Sequence, residues 1–249
     1  MSGLGDLTGR TAVVTGAASG IGLAVSEAFV AAGMRVLMTD RDEARLADES
    51  GRLTVDGDVH ALVVDVTDPE SVERAAALAV ERFGVLTVAV NNAGIVLGGN
   101  SWELPLADWH RVIDVNLFGV IHGIHAFVPR IMASGEPGWV VNTASMAAVR
   151  AVPNIAPYVA SKHGVLGISD VLRKELELAG LPIGVSVVMP GGIRTHLNPM
   201  GTVAAAQVAA NVVDAIRRGR DYVFTDDHSA DEVAARLGRI VAARADVVS

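Results

Sequence analysis

The chain has 249 residues, 51% of them hydrophobic and 19% charged, with a formal net charge of −8 and no cysteine. So much apolar surface with so modest a charge excludes a disordered chain, and the missing thiols exclude a disulfide scaffold, a thiolate metal site and a cysteine nucleophile. The acidic balance speaks against a nucleic-acid partner, which needs clustered Lys and Arg.

Short apolar runs alternate with longer segments of helical period. Residues 11–15 read as a strand and 20–32 as a helix, then 35–39 as a strand and 42–49 as a charged helix. A third strand is expected at 60–64, a third helix at 69–83, and a fourth strand at 85–91. Two long helical segments, 106–133 and 156–179, flank a fifth strand at 139–142; a sixth strand follows at 183–189 and a short seventh at 222–224. Strands apolar on both faces, each followed by a helix, indicate a parallel sheet covered on two sides. The expectation is one doubly wound α/β domain over residues 1–249, with about seven strands and a substrate-covering loop near 195–201. The N-terminus has neither a basic start nor an apolar run before Arg10, and the uncharged stretch 195–213 is broken by Asn198, Pro199 and Asn211. No membrane span and a cytoplasmic location are therefore expected.

After the first predicted strand comes Thr15-Gly16-Ala17-Ala18-Ser19-Gly20-Ile21-Gly22, leading into a helix. Glycines let the backbone turn tightly and approach a pyrophosphate, and a helix N-terminus offers unpaired N–H groups. The pattern is G-x-x-x-G-x-G rather than G-x-G-x-x-G, and in isolation an ordinary strand-to-helix turn reads the same way. Asp40 ends the second strand, 18 residues after Gly22. A carboxylate there accepts hydrogen bonds from an adenosine ribose and repels a 2′-phosphate, which favours NAD over NADP. Arg41 follows it and is suited to a phosphate. Asp65-Val66 closes the third strand, where the acid can take the adenine amino group and Val66 the ring. Asn91-Asn92-Ala93-Gly94 closes the fourth, with small residues against which a dinucleotide can lie.

Tyr158 and Lys162 are four residues apart, on one face of a predicted helix. An ammonium beside a phenol lowers its pKa from about 10 toward a useful acid/base range; a surface Tyr/Lys pair is the plain alternative. Ser145, just after the fifth strand, can orient a substrate oxygen, and no G-x-S-x-G elbow marks it as a nucleophile. Asn116 is a polar residue in an apolar helical segment, read either as a satisfied core amide or as a water-holding link to Lys162.

These residues resemble the short-chain dehydrogenase/reductase family. The matches are TGAASGIG (15–22), Asp40, Asp65-Val66, NNAG (91–94), Asn116, Ser145, YVASK (158–162) and PGGIRT (190–195), with 13 residues from Ser145 to Tyr158. The resemblance runs from about residue 7 to 224. It implies a Rossmann-type fold and a catalytic tetrad of Asn116, Ser145, Tyr158 and Lys162. In that pattern Tyr158 exchanges the proton, Ser145 holds the substrate oxygen, Lys162 binds the nicotinamide ribose, and Asn116 anchors a proton relay. Cofactor contacts are implied at Gly16, Ser19, Gly20, Ile21, Gly22, Asp40 and Arg41, then at Asp65, Val66, Asn92, Ala93 and Gly94. Pro190, Gly191, Ile193 and Thr195 complete the set on the carboxamide side. A homotetramer, or a homodimer, is implied as well.

Other candidates are set aside. His122 and His125 lack a third ligand at metal spacing, so no metal is expected, and Tyr222 is read as packing. Substrate contacts are expected from Val96, Ser145, Ala147, Ile155, Tyr158 and His196, with Leu97, Met146, Val149, Val152, Leu197 and Met200 nearby. With few charges apart from Arg150, an apolar secondary alcohol or ketone is favoured over a sugar or a carboxylate. An NADPH-dependent 3-oxoacyl thioester reductase and a catalytically silent nucleotide-sensing or scaffold protein stand as alternatives.

Overall fold

The computed structural model describes residues 2–194, 200–225 and 230–245. Its elements in chain order begin with β1 (Thr11–Thr15), α1 (Gly20–Ala31), β2 (Arg35–Asp40), α2 (Glu43–Leu53), β3 (Val59–Val63), α3 (Pro69–Phe83) and β4 (Val88–Asn91). Next come α4 (Leu106–Ile113), a π-helical turn (Asp114–Phe118) and α5 (Gly119–Ser134), which form one continuous helix. β5 (Gly138–Thr143), a 3₁₀ turn (Met146–Ala148), α6 (Ala156–Leu178) and β6 (Ile183–Met189) follow. The chain then forms β7 (Ile193–Arg194), β8 (Val203–Ala204), α7 (Ala205–Arg218), β9 (Tyr222–Phe224) and α8 (Ala230–Ala245).

Local chemistry starts and stops these helices. Asp42 caps α2 by accepting from the Arg45 N–H, and Asp68 caps α3 by accepting from that of Glu70, with Pro69 in the first turn where no N–H is needed. The main sheet is wholly parallel, in the order β3-β2-β1-β4-β5-β6-β9. β1, β4, β5 and β6 are buried along their whole length, as their unbroken apolar runs require. Neighbouring residues face opposite sides. Val14, Val90 and Val141 join α1 and α7 through Val25, Phe29, Val212 and Ile216. Val13, Ala89 and Val140 join α3, α5 and α6 through Val72, Phe127, Ile131 and Leu176.

Three expectations are adjusted. The third strand alternates between buried and exposed positions, with Val63 46% exposed, because β3 is an edge strand. The expected long helix 106–133 contains the π turn, which puts one extra residue into the ladder. Such a turn persists where tertiary bonds compensate it, and Asn116 sits there with no exposed surface. The two-residue pair β7–β8 was not expected; it joins the backbone on either side of residues 195–202. The helix 106–134 is long and apolar enough to cross a membrane by length and composition, yet half of its apolar window is buried inside the fold.

Trp139 on β5 is almost fully buried and lies over Gly184 on β6, donating from Nε1 to the Ser186 hydroxyl at 2.8 Å. A Cβ at Gly184 would fall 2.2 Å from the ring. Gly184→Ala is therefore expected to destabilise the protein by about 1–3 kcal/mol, as overpacking does. Pairing it with Trp139→Leu should recover part of the loss, read as a shift in urea midpoint.

Candidate active site

β1 and β4 are neighbours whose connections leave in opposite directions, so a crevice opens beyond their C-terminal ends. The Thr15 hydroxyl accepts from the backbone N–H of Asn92 (2.9 Å) and of Ala93 (3.1 Å). The Asn92 amide donates to the Thr15 carbonyl at 3.0 Å and accepts from the Thr143 hydroxyl at 3.3 Å. Asn92 thus lines the cleft while its amide ties β1, β4 and β5 together. Thr15 was not singled out by the sequence, although its position at the head of the glycine loop was a usable signal.

The cavity beyond these ends has a volume of about 590 Å³. Gly16, Ser19, Gly20 and Ile21 form one wall at the start of α1. No side chain caps that helix and no acidic residue occupies its first turn. Its free N–H groups and dipole are thus available to an anion, a condition that fits a diphosphate. Gly22 lies off the cleft, because a Cβ there would fall 2.1 Å from the Gly16 carbonyl oxygen; its role is close packing of loop on helix.

Asp40 stands at the far end. It accepts from the N–H groups of Ala18 (3.1 Å) and Asp42 (3.0 Å), which aim its carboxylate at the glycine loop. Arg41 is exposed beside it on the cleft wall. Asp65 and Val66 also line the wall, the Asp65 carboxylate accepting from the Thr67 N–H and hydroxyl. Ala93, Gly94, Pro190, Gly191 and Ile193 close the middle. Thr195 and His196 lie outside the described residues.

The opposite end gathers Ser145, Tyr158 and Lys162. Ser145 caps the 3₁₀ turn, its hydroxyl accepting from the Ala147 N–H at 3.1 Å and donating to the Pro190 carbonyl at 3.4 Å, beside the Tyr158 phenol. Lys162 is buried, donates from Nζ to the Thr143 carbonyl at 2.7 Å and lies 5.6 Å from the centre of the Tyr158 ring. Burial pulls the Lys162 pKa down to about 8. Burial also pushes the Tyr158 pKa up, and the Ser145 hydroxyl beside it offsets only part of that rise. The sequence expectation, a phenol lowered by the lysine, is therefore corrected: desolvation of the phenol dominates.

Asn116 lies off the cleft wall. Its amide accepts from the Ile95 N–H (2.8 Å) and donates to the Ile95 carbonyl (2.9 Å) and to the Ser161 hydroxyl (3.2 Å). Ser161 in turn donates to the Tyr158 carbonyl at 2.7 Å. The side chain is a satisfied core amide, one hydroxyl away from the helix turn that carries Tyr158. Ser161 was missed, since a serine inside YVASK reads as ordinary helix.

The lining beside Ser145 and Tyr158 is apolar, with Val96, Met146, Ala147, Val152 and Ile155, and has Arg150 among them. Leu97 and Val149 do not line the cavity, Met200 is 89% exposed, and Leu197 lies outside the described residues. His122 donates from Nδ1 to the Val66 carbonyl (2.9 Å), and among the described residues no cluster of three metal-ligating side chains forms. Tyr222 is corrected from packing: 43% exposed, it donates to Asp170 at 2.7 Å under the Arg173 guanidinium.

The depressed Lys162 pKa has a consequence for stability. The unfolded amine titrates near 10.5 and the folded one near 8, so between these values the unfolded chain binds more protons and stability rises with pH. The stability gap between the parent and Lys162→Met is expected to change in the parent's favour by about 2–3 kcal/mol from pH 7 to pH 10. Urea denaturation of both proteins across that range measures it.

Comparison with known proteins agrees with this geometry. Residues 10–202 match the family described as short chain dehydrogenase. The chain is 42% identical to a 1-deoxy-11-beta-hydroxypentalenate dehydrogenase from Streptomyces avermitilis, over 87% of this chain and 84% of that protein. A short chain dehydrogenase/reductase from Burkholderia phymatum, solved in complex with NAD, superposes with a TM-score of 0.93 at 30% identity, covering 94% of this chain and 95% of that one. A 3-ketoacyl-(acyl-carrier-protein) reductase from Brucella melitensis, complexed with NADH, superposes with a TM-score of 0.82 at 27% identity, covering 89% and 98%. The chain therefore belongs to the short chain dehydrogenase family and is an oxidoreductase that acts on a CH–OH group.

Proposed function

We propose that the protein interconverts an apolar secondary alcohol and its ketone with NAD(H), Tyr158 moving the proton. The observation that carries this reading is the convergence of Ser145, Tyr158 and Lys162 on the apolar end of the cleft, with the buried Lys162 ammonium 5.6 Å from the centre of the phenol ring. The similarity to a hydroxypentalenate dehydrogenase and to a structure with bound NAD supports it.

When bound, the nicotinamide supplies the hydride acceptor or donor. The first turn of α1, with Gly16, Ser19, Gly20 and Ile21, would hold the diphosphate, and Asp40 with Arg41 the adenosine ribose. Asp65 and Val66 would meet the adenine; Asn92, Ala93 and Gly94 would give the dinucleotide a flat floor. Pro190, Gly191, Ile193 and Thr195 would meet the carboxamide side, and Lys162 the nicotinamide ribose. Ser145 holds the substrate oxygen and Tyr158 takes or returns its proton. Asn116 acts as a positioning residue, through Ile95 on one side and Ser161 on the other. Assembly as a homotetramer in the cytoplasm goes with this reading; Phe118, Met132 and Val171 on the long helices are exposed and apolar enough to meet a second copy.

Tyr158→Phe should lower turnover by about 10²–10⁴-fold while dinucleotide binding persists; full activity in that variant would overturn the assignment. Because burial holds the phenol above its ordinary pKa, alcohol oxidation should rise with pH through the alkaline range. Ser145→Ala, which removes the hydroxyl favouring the phenolate, should move that limb to higher pH as well as slowing the reaction. Asp40→Asn should raise NADP use relative to NAD by about tenfold in kcat/KM, the scale of one charge-assisted hydrogen bond. Parallel assays with both dinucleotides read it.

A further inference from the structure

Ser145 stands at the head of a short piece of chain that is bonded to itself. Its hydroxyl accepts from the Ala147 N–H, the Ala148 N–H donates to the Ser145 carbonyl at 2.8 Å, and the Val149 N–H donates to the Met146 carbonyl at 3.2 Å. Residues 145–149 therefore move as one unit. Three of them, Ser145, Met146 and Ala147, line the substrate end of the cleft. Where the unit sits decides both the place of the Ser145 hydroxyl and the shape of the wall beside Tyr158.

The head of the unit is tied to β6. The Ala144 N–H donates to the Val188 carbonyl at 2.8 Å, and the Met146 N–H to the Pro190 carbonyl, one residue past the strand, at 3.0 Å. The tail runs toward the surface, where Ala151, Pro153 and Asn154 are exposed. At that end the Val149 carbonyl has passed the last N–H of its own turn, as carbonyls at a helical C-terminus do. Arg236 on α8 supplies a donor in its place, Nη1 reaching the carbonyl at 2.9 Å. An ionised donor makes the stronger kind of hydrogen bond.

α8 lies beyond residues 10–202, which match the family, and it meets the rest of the fold at this one place. Val233 packs against the apolar cluster that holds Met146 and Ala148. Glu232 stands 3.5 Å from Arg150, a long, solvated pair that contributes little. Leu237, Ile240 and Val241 further along are exposed. The bond from Arg236 is thus the firm polar tie between α8 and the tail of the Ser145 unit.

Resting on the oxidoreductase reading of this site, we propose that Arg236 is a positioning residue for the reaction. By pinning the tail of residues 145–149 it sets the Ser145 hydroxyl and the Met146–Ala147 wall against Tyr158. Arg236 does not line the cleft and touches no reacting atom. Its effect falls on the substrate end, because the dinucleotide end has bonds of its own, such as that from the Ala18 N–H to Asp40. A displacement of about 1 Å caused from outside the site is enough to cost up to about 10²-fold in rate.

Two measurements on the full chain test this. Hydrogen exchange read by mass spectrometry over residues 144–152 is expected to be about tenfold faster in Arg236→Ala, the scale of one charge-assisted hydrogen bond. In the same variant kcat/KM for a hydrophobic secondary alcohol, at saturating NAD, should fall at least about tenfold, with the affinity for NADH retained in a fluorescence titration. Arg236→Lys, which keeps a cationic donor but not the fork, should recover part of both. Arg239→Ala removes an exposed cation from the same helix and should change neither. Unchanged exchange over α1 and β6 shows that the fold persists. Unchanged exchange over 144–152, unchanged kcat/KM, weakened NADH binding, or an equal loss in Arg239→Ala would overturn the proposal. If the parent itself turns over no alcohol, the oxidoreductase reading fails, while exchange still decides whether Arg236 holds the turn.

Discussion

The cleft depends on one small device, the hydroxyl of Thr15 held between two strands that lead away from each other. β1 and β4 pair in parallel but connect to opposite sides of the sheet, so nothing in the ladder itself keeps their ends aligned beyond the last hydrogen bond. Thr15 and Asn92 supply that alignment, and the bond from Thr143 extends it to β5. With three strand ends fixed, the glycine loop has a floor, and the carbonyl of Thr143 has a defined place from which to accept the Lys162 ammonium. A shift at Thr15 would reach the lysine through two side chains and one strand.

A second dependence is electrostatic. Lys162 and Tyr158 are both desolvated, and each is pushed toward its neutral form. Neutral partners would be cheaper for folding but of little use for moving a proton. The polar contacts that oppose this drift are few: Thr143 receives the ammonium and Ser145 stands beside the phenol. The polar bonds at this end of the cleft therefore set how far each group is from its useful charge state.

Most of the scaffold was legible because its physics is local. Apolar runs marked β1, β4, β5 and β6 as strands of a parallel sheet covered on both faces, and turn residues marked where they stop. The strand ends pointed to the cleft, since in a parallel sheet side chains after the last pair are the ones free to meet a ligand. What escaped the sequence was non-local. The edge position of β3 depends on what fails to pair with it. Asn92 read as a cofactor contact, yet its amide is engaged with Thr15 and Thr143, a fact that only the strand order reveals. Gly22 read as one more loop glycine, although the Gly16 carbonyl behind it is what forbids a side chain. The phenol's pKa was misjudged because sequence spacing gives the distance to a lysine and says nothing of the water removed from both. Arg150 was noticed only as an exception in an apolar segment; its neighbours Glu232 and Arg236 lie more than eighty residues away.

The π turn at Asp114–Phe118 also sets a phase. One added residue advances a helix by about 100°, so the faces that α4 and α5 turn inward are offset although the helix never breaks. An apolar stripe followed down residues 106–134 as a single period drifts off the core halfway along. Removing one residue from the turn would restore regular hydrogen bonding and rotate one half against its packing. At this place the helix cannot have both an ideal backbone and two correctly aimed faces, and the fold keeps the faces.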